Sequence, residues 1–397
     1  YDSLGRLCYS IDSLGNVVEN RYDAFGQIYQ QVQYSKPVQE ITENVSVIDV
    51  AELLENRFDY MSVGDTRFFN DPDARYVTNL YDRKGQQTVT IDSLGCITHK
   101  EYNRFGEIVS QTRHDDANKI SVDEYDWNDP AIRNQVAQAV VDYQSSNDRT
   151  SRWAYDKNGN LRFNVDSMGF VSEMFYDSYG NVLQHICYSK PMCLAKNELT
   201  EDFILNALIG YYGEKGYAYP QLKVDDPDSR ITSYLYDKDN RQIVSIDGSG
   251  CAVRNIYDSF GNVIEIRQYE IPVPDYGTMC SYYQFAGITD KSFANWALEE
   301  FLSPQVNPDY RSQKFVYDQK NQIRMSIDSL GYVTEARYNA FGEKKQSIQY
   351  LSAISASSDF SLAGINQALA DLFGETIFND YVNYEDNNKR IKEYVYD

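Results

Sequence analysis

Residues 11–26 read IDSLGNVVENRYDAFG and carry two short punctuation marks. Asp12 is followed three residues later by Gly15, and Asp23 by Gly26. Near-copies stand at 91–106 (IDSLGCITHKEYNRFG) and 327–342 (IDSLGYVTEARYNAFG). An Asp that opens a turn can accept the backbone N–H two residues on, and Gly tolerates the left-handed conformation that closes it. A type I turn closed by a left-handed residue joins two antiparallel strands. Each mark therefore predicts a hairpin bend.

The marks belong to a longer period. Tyrosines followed by Asp recur at Tyr1, Tyr81, Tyr155, Tyr236, Tyr317 and Tyr396. Taking each as an anchor, Asp12, Asp92, Asp166, Asp247 and Asp328 fall at one offset, each closed by Gly15, Gly95, Gly169, Gly250 or Gly331. Tyr22, Tyr102, Tyr176, Tyr257 and Tyr338 share another offset. An arginine precedes every later anchor at one spacing: Arg75, Arg149, Arg230, Arg311 and Arg390. The chain thus divides into repeats 1–80, 81–154, 155–235, 236–316 and 317–395, with 396–397 opening a sixth. All variation in length falls between the third turn and the arginine.

Segments such as RITSYLY, RQIVSI, AVRNIY and NVIEIRQY are rich in β-branched and aromatic residues and partly alternate. Each repeat is therefore expected to hold a four-stranded antiparallel meander. The residue closing the first turn is Gly5, Gly85, Gly159, Asn240 or Asn321, the two residue types most at ease at positive φ. The variable part predicts one helix per repeat, on stripes Val47–Val50–Ala51–Leu54–Phe58, Ile132–Val136–Ala139–Val140–Tyr143, Ile204–Ala207–Leu208–Tyr211, Phe293–Ala297–Phe301 and Ile365–Leu369–Leu372–Phe373. Asp129-Pro130, Thr200 and Thr289 are start signals. Each stripe must cover a meander face. The fold class expected is a β-rich tandem repeat (α+β): four-stranded antiparallel meanders, each with one helical insert, stacked as an elongated solenoid, tube or shell.

Composition excludes several functions. A formal charge of −22 repels phosphate backbones, so nucleic acid is not an expected partner. No run of 18 apolar residues exists, so no helical membrane span is predicted. The cysteines Cys8, Cys96, Cys187, Cys193, Cys251 and Cys280 form no C-x-x-C, and only three His are present, which argues against zinc. The chain opens and closes in mid-pattern, so the array is expected to continue on both sides.

The stretches YDSLGRL, YDAFGQI, YDKNGNL, YDSYGNV and YDSFGNV resemble the Rhs/YD-repeat family. The resemblance covers the five meanders, roughly half the chain; the helical inserts depart from the usual motif. It implies membership of very large bacterial secreted or surface proteins, among them polymorphic toxins and toxin-complex subunits, and similarity to animal adhesion proteins. Such repeats wind into a β-sheet shell, often around a C-terminal toxin. The self-cleaving aspartyl-protease segment of some such shells has no counterpart here.

The repeated carboxylates admit three readings. As turn formers they need only their own backbone. As a calcium ladder they would have to supply six to eight oxygens per site, and one Asp per repeat falls short. As catalysts two acids must sit in different environments, whereas equivalent copies occupy equivalent settings. The arginine column is expected to pair with turn aspartates or to stack on aromatic rings. Its functional alternative is a groove for a glycan or anionic chain. His99, His114 and His185 fall at unequal positions with no repeated nucleophile, and no P-loop, G-x-G-x-x-G or H-E-x-x-H occurs. The expected function is a non-catalytic structural segment of a giant extracellular or cell-surface fibre, tube or shell wall. No cofactor is expected. Its partners would be neighbouring repeats and further copies. A shell enclosing a C-terminal toxin and a glycan-binding adhesin are the alternatives.

Overall fold

The computed structural model describes residues 1–38, 46–63, 66–115, 120, 127, 129–141, 143, 145–192, 200–212, 228–270, 272, 302, 309–355, 359–374 and 389–394. The chain forms two compact units, Tyr1–Val171 with Pro191–Ile204, and Ser172–Lys190 with Leu205–Asp397.

In the first unit the strands are β1 (Tyr9–Ile11), β2 (Val17–Tyr22), β3 (Ile28–Gln33), β4 (Asp59–Val63), β5 (Thr66–Asn70), β6 (Arg75–Tyr81), β7 (Gln87–Ile91), β8 (Ile97–Tyr102), β9 (Ile108–Arg113), β10 (Arg149–Tyr155) and β11 (Leu161–Val165). All but β4 and β5 form one antiparallel ladder in chain order. β4 and β5 pair with each other inside the first insert, a hairpin the periodicity does not announce.

The second unit holds β12 (Val171–Tyr176), β13 (Val182–Cys187), β14 (Arg230–Tyr236), β15 (Gln242–Ile246), β16 (Ala252–Tyr257), β17 (Val263–Tyr269), β18 (Tyr310–Tyr317), β19 (Ile323–Ile327), β20 (Val333–Tyr338), β21 (Lys344–Tyr350) and β22 (Lys389–Glu393). They too pair antiparallel and consecutively. Within each unit, then, meanders join edge to edge through strand pairing instead of stacking face to face. The free edge of one meander is satisfied by the first strand of the next.

The helices are α1 (Val47–Glu55), α2 (Pro130–Val141), α3 (Glu201–Tyr212) and α4 (Leu362–Phe373). Local chemistry starts them. Ser46 and Asp49 form a reciprocal capping box on α1, Asp129 accepts Ala131 N at 2.8 Å on α2, and Thr200 accepts Phe203 N at 3.2 Å on α3. The helix expected around Phe293, Ala297 and Phe301, and its start at Thr289, lie outside the described residues, as does Tyr396.

Each helix buries a narrow stripe. Val50 and Leu54 of α1 pack with Val17, Val32, Tyr34 and Phe58. Val136 and Val140 of α2 pack with Leu80, Val89, Ile91 and Ile97. Ile365 and Leu369 of α4 pack with Met325, Ile327, Val333 and Tyr350. At about 1.5–3 kcal/mol per buried aliphatic side chain, these contacts outweigh weak helix propensity. Four stripe positions differ from expectation. Phe58 and Tyr143 lie past the ends of α1 and α2. Ala139 and Leu372 are exposed, because only about one helical face meets the sheet.

Candidate functional site

The turn is the unit from which everything else is built. Asp12 Oδ1 accepts Leu14 N at 2.9 Å and Asn16 N at 2.8 Å. Asp92, Asp166, Asp247 and Asp328 make the same two bonds to the residues two and four ahead, at 2.9–3.0 Å. Asn103 and Asn339 do likewise in third turns, so the geometry needs an oxygen and not a charge. The Asn16 side-chain amide and backbone N–H hold the Asp12 carboxyl below the ordinary aspartate range.

The closing residue differs between turns. At second turns the carbonyls of Gly15, Gly95, Gly169 and Gly331 accept the N–H of Val38, Ile120, Met192 and Ile354 at 2.8–3.0 Å. The segment leaving the meander is thereby laid against the turn. A Cβ on Gly95 would fall on the Ile120 carbonyl oxygen. Gly250 closes its turn at φ 84; the stretch that would lie against it is outside the described residues. First turns carry no such neighbour at Gly5, and Asn240 and Asn321 occupy the equivalent place at φ 60 and 61. At second turns the docked backbone thus adds a steric requirement for Gly that Gly5 lacks.

The tyrosine before the turn fastens the adjoining strand. Tyr81, Tyr155, Tyr236 and Tyr317 donate their hydroxyls to the carbonyls of Ile28, Ile108, Val182 and Val263, at 2.9–3.0 Å. Tyr22, Tyr102, Tyr257 and Tyr338 do the same to Leu7, Gln87, Gln242 and Ile323, at 2.7–2.9 Å. A register shift precedes each of these tyrosines where its pairing strand is described, as between Leu80 and Tyr81. The extra residue on the opposing strand turns the ring toward its acceptor. Tyr176 differs and directs its hydroxyl to Met174 Sδ at 3.4 Å.

The arginines mark the seams. Arg75, Arg149, Arg230, Arg311 and Arg390 stand opposite Gln33, Arg113, Cys187, Gln268 and Gln349, where one meander pairs with the next. All five are exposed. Among the described residues none pairs with a turn aspartate; Arg311 meets Glu270 at 3.1 Å. The aspartates of the turns take other arginines, Arg6 with Asp2 and Arg241 with Asp237, both at 2.7 Å.

A buried polar pair recurs in several repeats. Tyr34, Tyr188 and Tyr350 donate to the buried carboxylates of Glu19, Glu173 and Glu335 at 2.7, 2.6 and 2.7 Å. Arg21 holds Glu19 at 2.9 Å, and Arg324 and Arg337 hold Glu335 at 2.6 and 2.8 Å. Burial, and then the glutamate, pushes the Tyr34 and Tyr350 hydroxyls far above the ordinary tyrosine range. The second repeat replaces this pair by His99 and His114, whose rings stack at 6.2 Å. His114 Nδ1 lies 3.3 Å from Asp148 Oδ2 without good hydrogen-bond alignment, and Tyr143 meets the same ring edge-on. Burial pulls the His99 pKa down, opposed by Glu101 and reinforced by His114. Asp148 is held low despite burial by the N–H groups of Asp115 and Ser145 and by His114. The sequence contained the signal: His99 and His114 sit at the repeat offsets of Glu19 and Tyr34.

Cys8, Cys187 and Cys251 are free thiols and Cys96 is buried; Cys193 and Cys280 lie outside the described residues. Among the described residues no group of three or more His, Cys, Asp or Glu is placed to hold a metal ion. No described helix is long and apolar enough to cross a membrane.

No protein-family model matches this chain, and no curated protein does. Solved structures do show likeness. A TcdB2-TccC3-Cdc42 crystal structure is 14% identical with a TM-score of 0.40, covering 89% of this chain and 15% of that one. A Photorhabdus luminescens Tc holotoxin pore (TccC3-D651A) is 13% identical at 0.23, covering 88% and 19%. A porin-like protein from Bacteroides uniformis is 10% identical at 0.18, covering 85% and 91%. This chain thus spans less than a quarter of the toxin-complex chains it resembles.

Proposed function

We propose that this chain is a non-catalytic wall segment of a larger YD-repeat protein, working outside the cell with neighbouring repeats as its partners. The observation that carries the reading is the recurrence of one turn-and-clamp device at one register in both units. Each recurring carboxylate or amide is engaged by its own turn's backbone, and nearly every recurring tyrosine hydroxyl by the adjoining strand. Groups so engaged stiffen a ladder and are poorly placed to turn over a substrate. The edge-to-edge pairing at the arginine seams lets such a ladder be extended by further repeats.

Electron microscopy of the full-length protein tests this. Continuous sheet-like wall density running through these repeats and into their neighbours is expected. A compact globule, or a chain whose two units end the sheet, would overturn it.

A further inference from the structure

The first unit contains a cavity of about 980 Å³ between α2 and the turns at Asp23–Gln27 and Tyr81–Gly85. In a chain of net charge −22, three cations line it: Arg83, Lys84 and Arg133. The acids that also line it, Asp23 and Asp82, each give one carboxylate oxygen to two backbone N–H groups of their own turns. Arg133 is held in place by stacking at 4.3 Å on Tyr29 and by donating to the Trp127 carbonyl. Arg83 and Lys84 are exposed and form no ion pair among the described residues.

Helix packing does not require a cation at Arg133. Three residues before the first buried position of its helix, α2 has Arg133, where α1, α3 and α4 have Val47, Glu201 and Leu362. The amides of Asn134 and Gln138 also line the cavity from exposed positions on α2. At the rim the Phe25 ring is 90% exposed.

We propose that this groove binds a carboxylated oligosaccharide. The amides answer sugar hydroxyls, the ring answers an apolar sugar face, and the three cations answer carboxylates. An acidic peptide is less well served. β6 and β7 are paired on both sides, so no strand edge is free to receive an extended chain. Nucleic acid is opposed by the overall charge.

Calorimetric titration of the intact protein with tetragalacturonate, maltotetraose and hexaglutamate tests the proposal. Tetragalacturonate is expected to bind, more weakly as salt rises, and maltotetraose at least tenfold more weakly. The double variant Arg83→Ala, Lys84→Ala is expected to lose at least tenfold in affinity with an unchanged melting temperature, since both residues are exposed turn positions. Absence of tetragalacturonate binding, equal binding by the folded double variant, or hexaglutamate binding as tightly would each overturn it.

Discussion

Alanine at Gly95 tests how the inserts are tied to the sheet. Two costs arise. The left-handed backbone, at φ 77, costs a residue with a Cβ about 1–2 kcal/mol. The new Cβ would also fall on the Ile120 carbonyl, a backbone atom that cannot swing aside. Ile120 must retreat, which breaks its N–H bond to the Gly95 carbonyl at 3.0 Å, worth about 1 kcal/mol. It also loosens the buried Ile120 side chain, where full burial contributes about 1.5–3 kcal/mol. With the Ile120 side chain only partly re-exposed, the expected total is about 3–5 kcal/mol. Gly5 is the control: it has the same φ of 77, but its Cβ would meet nothing within 4 Å. Gly5→Ala should therefore cost only about 1–2 kcal/mol. Urea unfolding of the first unit, which contains both sites, reads the difference as a shift in midpoint at constant slope. Equal costs would refute the docking argument. Asparagine sharpens the contrast. It should be nearly neutral at Gly5, as Asn240 and Asn321 show, and should not rescue Gly95.

Tyr350→Phe removes the hydroxyl that donates to Glu335 at 2.7 Å; a loss of about 1.5–3 kcal/mol is expected in urea unfolding of the second unit. Asp92→Asn should cost under about 0.5 kcal/mol because Asn103 already serves a turn, whereas Asp92→Ala loses both N–H acceptances and should cost about 1–2 kcal/mol. The depressed His99 pKa means the folded chain binds fewer protons there than the unfolded one. Its stabilising contribution is full above the unfolded pKa of about 6.5 and is lost as pH falls below it. Melting of the first unit between pH 7.5 and 5.5 should show this, and His99→Gln should flatten the slope; an unchanged slope would count against it. Asp148 adds a second loss at lower pH, as its carboxyl protonates through its lowered value. A chelator should leave the melting temperature unchanged, since the Asp12 and Asp92 oxygens already serve backbone amides; a drop would restore the calcium reading.

Much of this was legible because it is local. The Asp–x–x–Gly turns, the strand runs and the helix starts at Asp129 and Thr200 depend on residues within about five positions of one another. Four of the five expected helical stripes fall on described helices, with Phe58 and Tyr143 past the helix ends and Ala139 and Leu372 exposed because period alone does not say how wide a face the sheet will cover. The arginine column was visible, but its place was not. Arg75 and Arg149 proved to sit at the seams opposite Gln33 and Arg113, not against turn acids, because a strand's partner is not written in its own residues. The tyrosine clamps and the His99–His114 pair were hidden for the same reason, although their offsets could have been compared across repeats.

The amino-acid order alone determined where the chain bends and what the period is, since turns and caps are settled by side chains bonding their own backbone within a few residues. Only the tertiary structure decided what each bend is for. Glycine at second turns, hydroxyls reaching across to Ile28 or Val263, and the cations gathered at one groove depend on segments distant in sequence meeting in space. Those meetings are selected by the joint burial of helix stripes and sheet faces, a condition that no single window of residues can express.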